Sequence, residues 1–368
     1  MPSEAIIDIS SLLEPVSDEN PAGEDIRENA SPTSAYYTIK DARNSARAAE
    51  RNSMFDGGSS EADENWRKIL ELAPDILKNN SKDLEVASWY TEALIRRYGF
   101  PGLKAGFSII RQMIEQYWDN LYPQPDEDGI ETRVSPLTGL NGEGAEGVLI
   151  APIRNANITE DVQPGPFNYW QYTQALDIQK ITDEESRADK TSKIGFNLDD
   201  IENVVANSSE QFFLNLREDV TDCLNDYREI SKMLDEYCGN MDAPPTSNII
   251  NALESTLGVI NHVAKYKLPD ESSNEEEFNE AEPGSDPTSS QNNGVSGPIK
   301  NRTDAFRHLN EISEFFRKTE PHSPISYVLD KAVKWGDMSL SELMQELIPD
   351  SSSLNYYSSL TGVKADEE

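Results

Sequence analysis

Apolar residues recur every three or four positions over most of the chain, which is the spacing of helices with one buried face. The clearest example is the stretch 81–123, where two apolar faces are separated by Gly99. Ser81 is suited to cap the first helix, Pro101 to begin the second, and Pro123 to end it. This stretch is therefore predicted to be a helical hairpin, around which the rest of the chain is organised.

The same spacing predicts shorter elements on both sides of this hairpin. Helices are expected at 34–52 and 66–78, separated by a loop at 54–65 that is rich in glycine, serine and acidic residues. After the hairpin, residues 123–147 are rich in proline, glycine and acid, and we expect them to be irregular. An apolar segment at 147–159 then closes the first domain.

A heptad pattern predicts one long helix at about 208–237. Its apolar residues alternate spacings of three and four, which is the pattern of a coiled-coil seam. The seam residues are Phe213, Leu216, Val220, Cys223, Tyr227, Ile230 and Leu234. A returning helix is predicted at 249–263, with a matching apolar face. Two interpretations stay open: a self-contained hairpin of these two helices that packs on a helix predicted at 168–181, or a seam between two copies of the chain. The charged stretch 183–193 is predicted to be a loop.

Three short helices are predicted in residues 301–349. Val328 and Trp335 are expected to point inward in the second, and Ser339 with Glu342 forms a capping box for the third. About fifty residues of this apolar character make a marginal monomer, so self-association is expected. The candidate oligomerisation residues are Phe306, Phe315, Phe316, Glu320, Pro321, His322, Ser323, Pro324, Leu329 and Trp335.

These elements predict an all-α, multi-domain protein. Residues 269–298 contain eight acidic residues and no Lys or Arg, so they cannot bury enough apolar surface to offset the entropy of ordering. We interpret them as a flexible linker. The predicted divisions are an N-terminal helical domain (1–160), a middle helical domain (166–268), the acidic linker (269–298), a C-terminal helical oligomerisation module (299–350) and a mobile tail (351–368).

Net charge narrows the classes of partner. The formal net charge is −35, and such a surface repels phosphate backbones and anionic lipid. No window approaches 18 consecutive apolar residues, and the first residues lack the features of a signal peptide. Cys223 and Cys238 lie too far apart on one helix to form a disulfide within it. We therefore expect a cytoplasmic protein with no nucleic-acid partner and no membrane insertion.

Three arginines form a stripe against this acidic background. Arg43, Arg47 and Arg51 are spaced four apart, so they share one face of a helix. The stripe is either a solvated face whose members pair with acids such as Asp41 and Glu50, or a docking surface for an acidic partner.

The chain offers no catalytic constellation. His262, His308 and His322 lie in separate elements without metal-ligand spacing, so no catalytic, metal-binding or cofactor-binding residue is predicted. Residues 142–147 fit the spacing G-x-G-x-x-G, but they follow turn residues and carry two glutamates, which disfavours a dinucleotide site. The chain is thus expected to work by binding and assembly, and an enzyme would need a polar pocket around His262 or His322.

Several motifs in a fixed order carry a family resemblance. They are NPAGED at 20–25, DARNSARAAER at 41–51, the lone Trp66, SKDLEVA at 81–87, the hinge at Gly99 and YWDNLYP at 117–123. In this order they resemble the N-terminal domain of the TssA (ImpA-related) proteins of bacterial type VI secretion. The segments 319–335 and 338–350 resemble a C-terminal element of proteins with this domain order.

The resemblance implies a non-enzymatic assembly protein with no cofactor. It further implies a ring-like homo-oligomer peripheral to the inner-membrane secretion complex, which binds sheath, tube, baseplate and membrane-complex proteins and primes tube and sheath polymerisation. The alternative is a helical adaptor or chaperone that acts as a monomer or dimer on soluble clients. Mass in solution separates the two, because only the first forms assemblies well above a dimer.

Overall fold

The computed structural model describes residues 6–53, 60–127, 129–239, 242–268, 302–319, 324–338 and 343. Within these ranges the chain is helical, and its β-type pairing is limited to isolated bridges. The predicted all-α class is confirmed. The chain divides into two compact units, Met1–Phe278 and Asn279–Glu368.

The helices follow one another through mostly short connections, with longer segments at 14–34 and 156–168. Those of the first unit are α1 (Ile9–Leu13), α2 (Ala35–Ser53), α3 (Ser60–Asn79), α4 (Leu84–Tyr98), α5 (Phe100–Tyr117), α6 (Glu131–Asn141), α7 (Ile150–Asn155), α8 (Tyr169–Gln179), α9 (Glu184–Ile194), α10 (Leu198–Asn207), α11 (Glu210–Cys238) and α12 (Ser247–Val263), with a 3₁₀ turn at Trp118–Asn120 after α5. Those described in the second unit are α13 (Arg302–Thr319) and α14 (Ile325–Asp337). The third helix predicted there lies outside the described residues, apart from residue 343.

The central hairpin is formed by α4 and α5 and is hinged at Gly99, as predicted. Gly99 has a φ of 64°, and its N–H donates to the carbonyl of Ile95 to close α4. A Cβ on Gly102 would lie 2.2 Å from the carbonyl oxygen of Leu94, so only glycine lets the two helices approach this closely. The first helix, however, is capped by Asp83 and not by Ser81.

Three stretches predicted to be irregular are helical. Helix α3 begins at Ser60, within the predicted loop 54–65, because acidic residues in its first turn favour the positive end of the helix dipole. Residues 131–141 form α6, with a proline inside the helix. The charged loop predicted at 183–193 is α9, which Asp183 caps through the amide of Ser186.

Helix α11 packs along α5, and its seam residues are 6 % exposed or less. The rings of Phe107 and Tyr227 lie 4.8 Å apart, and the thiol of Cys223 donates to the carbonyl of Phe100 at 3.6 Å. The seam residues Phe213, Leu216, Val220, Cys223, Tyr227, Ile230 and Leu234 thus have their partners inside the chain, on α5 and α12. The predicted hairpin is therefore present, formed by α11 and α12, but it packs on α5 and not on the helix at 168–181, and the seam is covered without a second copy.

Ion pairs flank the packing of α5 against α11. Lys104 Nζ lies 3.3 Å from Asp219 and 2.7 Å from Asp222, and Arg111 Nε lies 2.8 Å from Asp226. The pairs recur seven residues apart on each helix, so they fix the register of the two helices. The predicted first and middle domains therefore share a buried interface, and the boundary at 160–166 stays a prediction.

Candidate functional site

Three of the motifs in the sequence meet at one place, which we name the motif junction. The segment 81–84 is held from both sides: the N–H of Lys82 donates to the carbonyl of Ala22 at 2.7 Å, and the N–H of Tyr122 donates to the carbonyl of Lys82 at 3.0 Å. The N–H of Leu84 in turn donates to the carbonyl of Tyr122 at 2.8 Å. NPAGED, SKDLEVA and YWDNLYP are therefore parts of a single packed structure.

A buried ion pair lies at the centre of the motif junction. Asp83 is fully buried and accepts from Arg27 at 2.6 and 3.2 Å. Arg27 also donates to Glu85 at 2.7 Å, and the hydroxyl of Tyr36 donates to the same carboxylate at 3.1 Å. Burial raises the pKa of Asp83, while the positive charge of Arg27 opposes that rise. Asp83 also accepts from the first amides of α4, so one carboxylate caps a helix and binds a cation.

A buried lysine ties the N-terminal segment to the motif junction. Lys82 is fully buried, and its ammonium donates to the carbonyls of Leu12 at 2.7 Å and Leu77 at 2.6 Å. The hydroxyl of Tyr117 donates to the carbonyl of Leu13 at 2.6 Å. Burial lowers the pKa of Lys82 to about 8, because the apolar surroundings disfavour the charged form.

The glycine of NPAGED is required by the same packing. Gly23 has a φ of 78°, and a Cβ there would lie 2.1 Å from the carbonyl oxygen of Asn80. The hydroxyl of Tyr122 donates to the carbonyl of Gly23 at 3.3 Å. The motif junction is therefore a packing site in which the charged groups of Arg27, Lys82 and Asp83 are paired or hydrogen-bonded, while the buried hydroxyl of Ser81 has no partner among the described residues.

The predicted arginine stripe is divided by the structure. Arg43 donates from Nε to Glu92 at 2.8 Å, and Glu92 is fully buried, so this arginine belongs to the interior. Arg47 is half-buried and Arg51 is exposed.

A fourth arginine, Arg96 on α4, lies close to the three arginines of the stripe. It donates to both carboxylate oxygens of Glu50 at 2.6 and 3.1 Å, and Trp66 Nε1 donates to the same carboxylate at 2.7 Å. Glu50, predicted to pair with the stripe, is bound by Arg96. We name Arg43, Arg47, Arg51 and Arg96 the arginine cluster.

The second unit presents apolar side chains outward. Val328, predicted to point inward, is 60 % exposed, Tyr327 is 65 % exposed, and Ile312 on α13 is 45 % exposed. Of the candidate oligomerisation residues, Phe315 and Pro324 are exposed, whereas Phe306, Phe316, Leu329 and Trp335 are half-buried. Glu320, Pro321, His322 and Ser323 lie outside the described residues.

Two serines lie at the most buried positions described in this hairpin, between half-buried apolar side chains. Ser313 and Ser326 are the fully buried residues among those described in α13 and α14. The hydroxyl of Ser313 donates to the carbonyl of Ser326 at 2.9 Å, and Asp330 bridges Ser313 and Arg317.

The described part of the chain contains no group of three or more His, Cys, Asp and Glu side chains placed to hold a metal ion. Two clefts of about 590 and 620 Å³ open on the first unit, and the exposed His262 lines neither of them. The glycine-rich residues 142–147 follow α6, with Gly142 at its end, and not a strand. None of the helices described is both long and apolar enough to cross a bilayer.

Sequence reasoning missed Arg27, Asp83, Lys82, Glu92 and Arg96 as members of sites. Each is a charged residue close to apolar positions, and the sequence alone gives no sign of which charges are buried. The fixed order of the motifs was the available signal for the motif junction, because segments that pack against one another must all be present for that packing to form.

The described residues define an all-helical protein. Its sequence motifs pack together in the first unit, and its second unit has an exposed apolar face. Residues 13–142 match the family "ImpA, N-terminal, type VI secretion system". The predicted ImpA-related N-terminal domain of the type VI secretion system is therefore confirmed.

The similarity reaches beyond that domain. The chain is 23 % identical over 366 residues to the type VI secretion system component TssA1 of Pseudomonas aeruginosa, covering 95 % of this chain and 97 % of the relative. The solved N-terminal domain of TssA from Burkholderia cenocepacia, which includes the conserved ImpA_N region, covers 73 % of this chain with a TM-score of 0.58 and 21 % identity. The solved structure supports the fold, and the family model and the relative both point to a type VI secretion system component.

Proposed function

We propose that this protein is a non-enzymatic assembly component of a type VI secretion system, which forms a ring-like homo-oligomer through its second unit. The support for the secretion system is the similarity to TssA1 over nearly the whole of both chains. In this proposal the oligomer binds baseplate and membrane-complex proteins and primes or coordinates polymerisation of the tail tube and sheath.

The observation that carries self-association is the exposed apolar face of the α13–α14 hairpin. Phe315, Tyr327 and Val328 are 60–65 % exposed, and no apolar side chain described in the two helices is fully buried. Two helices that bury their apolar side chains only in part gain limited hydrophobic free energy from packing on each other. Other copies of the hairpin that cover the outward apolar face would bury this surface and add the hydrophobic free energy that one hairpin alone does not gain.

A ring suits the proposed partners physically. The tail is a symmetric assembly, and several copies of one weak binding surface on a ring bind such a target far more tightly than a single copy does. The first units then contact tail components, and the second units hold the copies together. In this proposal the protein lies on the cytoplasmic side, next to the inner-membrane secretion complex.

Co-purification tests this function. The full chain and a chain that ends at residue 298 are each tagged and expressed in a strain that carries the whole secretion system, and sheath, tube, baseplate and membrane-complex proteins are quantified in each eluate. We expect these proteins with the full chain and a strong reduction with the shortened chain, because the avidity of the ring is lost. Equal recovery by both chains would favour the monomeric or dimeric adaptor, and recovery of no tail protein by the full chain would contradict the proposal.

A further inference from the structure

Two members of the arginine cluster, Arg47 and Arg51, have no hydrogen-bond or ion-pair partner among the residues that the structure describes, and Arg47 is the half-buried one. Arg43 is bound to Glu92, and Arg96 is bound to both oxygens of Glu50 and to the backbone carbonyl of Glu92 at 2.8 Å. Arg47 lies one helical turn from Arg43. It makes no hydrogen bond or ion pair with any residue in the ranges that the structure describes.

The surroundings of Arg47 are mostly positive. Arg43, Arg96 and Arg51 repel its charge, and Glu92 is the one carboxylate that attracts it appreciably. Burial lowers the pKa of Arg47, and the three arginines lower it further, so the half-buried cation is held at a cost in free energy. A carboxylate supplied from outside would remove that cost, since it would pair the cation and weaken the repulsion among the arginines.

We propose that Arg47, together with the exposed Arg51, is the docking point for a short acidic peptide segment of a partner protein. Arg43 and Arg96 are positioning residues in this arrangement, because Glu92 and Glu50 hold them in place and they keep Arg47 from forming an internal pair. The inference concerns the first unit alone and does not depend on self-association through the second.

The overall charge of the chain selects the kind of ligand. At −35 the protein repels long polyanions such as nucleic acids, whose charges extend beyond the cluster over the acidic surface. Electrostatic interactions are screened over roughly 8 Å at physiological salt, so a ligand with two or three carboxylates responds mainly to the arginines nearest to it. A short run of Asp or Glu in a partner therefore fits the cluster better than a phosphate polymer does.

A competing arrangement involves the buried carboxylate beside Arg47. Glu92 Oε2 is buried and accepts no hydrogen bond, so a rotation of Arg47 could bring a donor to it. In that case Arg47 would be a structural residue and its removal would destabilise the fold. Binding and stability measured on the same variants separate the two arrangements.

The experiment uses the full chain and a fluorescein-labelled hexaglutamate peptide, with hexaglutamine as the uncharged probe. Arg47→Gln and Arg51→Gln are compared with Arg67→Gln, which removes the same charge from an exposed position on α3. For Arg47→Gln we expect affinity for hexaglutamate to fall about tenfold, the effect of losing one charge-assisted hydrogen bond. Arg51→Gln should weaken binding less, and Arg67→Gln by less than twofold.

The unfolding free energy is measured on the same three variants. We expect Arg47→Gln to leave it unchanged or to raise it, since a repelled and unpaired cation is removed. Equal affinities of the Arg47 and Arg67 variants would overturn the inference, as would wild-type binding of hexaglutamate no tighter than of hexaglutamine. A clear loss of stability in Arg47→Gln would do so too, because it would show that Arg47 pairs with Glu92. Oligomer mass should not differ among the variants, because the substitutions lie in the first unit. If hexaglutamate does not bind as expected, the proposed function is therefore not affected.

Discussion

Arg27 and Asp83, 56 positions apart in sequence, form a two-point ion pair in which the carboxylate also caps helix α4. The pair joins the segment after NPAGED to the start of SKDLEVA. Asp83 is fully buried, so the structure depends on Arg27 to keep the carboxylate compensated.

Replacement of Arg27 by methionine should therefore destabilise the protein strongly. We expect a loss of about 3 kcal/mol of unfolding free energy at pH 7, the scale found when one partner of a buried pair is removed. Chemical denaturation measures this loss, with Arg67→Met as the exposed control.

The stability deficit of the Arg27 variant should depend on pH. The pKa of Asp83, already raised by burial, should rise further without Arg27. The folded variant then holds a proton that the unfolded chain releases, so its deficit should shrink as pH falls from 7 towards 4. A deficit that does not depend on pH would argue against a charged Asp83.

Lys82 should make the stability of the protein rise with pH in the alkaline range. Its folded pKa is lowered to about 8 by burial, whereas an unfolded lysine titrates near 10.4. Above pH 8 the unfolded chain binds the extra proton, so Lys82 contributes a slope approaching about 1.4 kcal/mol per pH unit to the unfolding free energy. Burial raises the pKa of the Cys223 thiol, which then ionises in the unfolded chain first and contributes a slope of opposite sign, so the Lys82 contribution is read as the difference between wild type and Lys82→Met. Denaturation at intervals from pH 7.5 to 9.5 measures this slope.

The variant Lys82→Met should lose this slope, and the exposed control Lys78→Met should keep it. The range ends at pH 9.5 because tyrosines in the unfolded chain begin to ionise above it. Burial raises the pKa of Tyr90 to about 12, which lowers stability once unfolded tyrosine ionises near 10. The same slope in wild type and Lys82→Met would show that another group is responsible.

The seam on α11 should behave as core and not as an interface between copies. Ile230 is buried against the rest of the chain, so Ile230→Ala should lower the unfolding free energy by about 2–5 kcal/mol. Its exposed neighbour offers the control Glu229→Ala, with an expected change within about 0.5 kcal/mol. Because the partner surface lies in the same chain, the loss should be equal at protein concentrations a hundredfold apart. A loss that grows on dilution would instead indicate a dimer seam.

Two glycine substitutions should act in opposite directions. Gly23→Ala places a Cβ against the backbone of Asn80 at a positive φ, so we expect more than about 1 kcal/mol of destabilisation. Gly139 lies exposed in α6, and a Cβ there meets no atom within 4 Å. Gly139→Ala should therefore raise stability by up to about 1 kcal/mol. Thermal unfolding of both variants measures the contrast, and a neutral Gly23→Ala would mean that the segment around Asn80 can move aside.

The sequence predicted helices well where an apolar face repeats and poorly where it does not. Helix α9 has no buried residue, so its charged sequence gave no periodic signal, although Asp183 before it and Gly195 after it are ordinary helix boundaries. The same weakness concealed the start of α3, whose first residues are polar. An apolar pattern also shows which face is buried but not what covers it. The partner of the α11 seam is α5, more than a hundred residues away in the sequence.

The charged sites were the hardest features to predict. The stripe of Arg43, Arg47 and Arg51 is visible from spacing alone. Its division into one paired, one half-buried and one exposed arginine depends on Glu92, which comes from another helix. The cap of α4 was misassigned for a similar reason. Ser81 and Asp83 are both capping residue types, and the sequence does not say which of them begins the helix. In the structure, hydrogen bonds to Tyr122 hold residues 82 and 84, and Asp83 caps the helix.

The mass of the protein in solution tests the central claim, that the outward apolar face of the α13–α14 hairpin joins copies of the chain. Light scattering after size exclusion is applied to the full chain, to a chain ending at residue 298, and to the double variant Tyr327→Lys with Val328→Lys. Glu314→Lys with Lys318→Glu is the control, because it exchanges two exposed charges on α13. We expect a mass well above a dimer for the full chain and the control, and a smaller species for the shortened chain and the double variant. A full chain that is monomeric or dimeric at high concentration, or a shortened chain that keeps the large mass, would contradict the account.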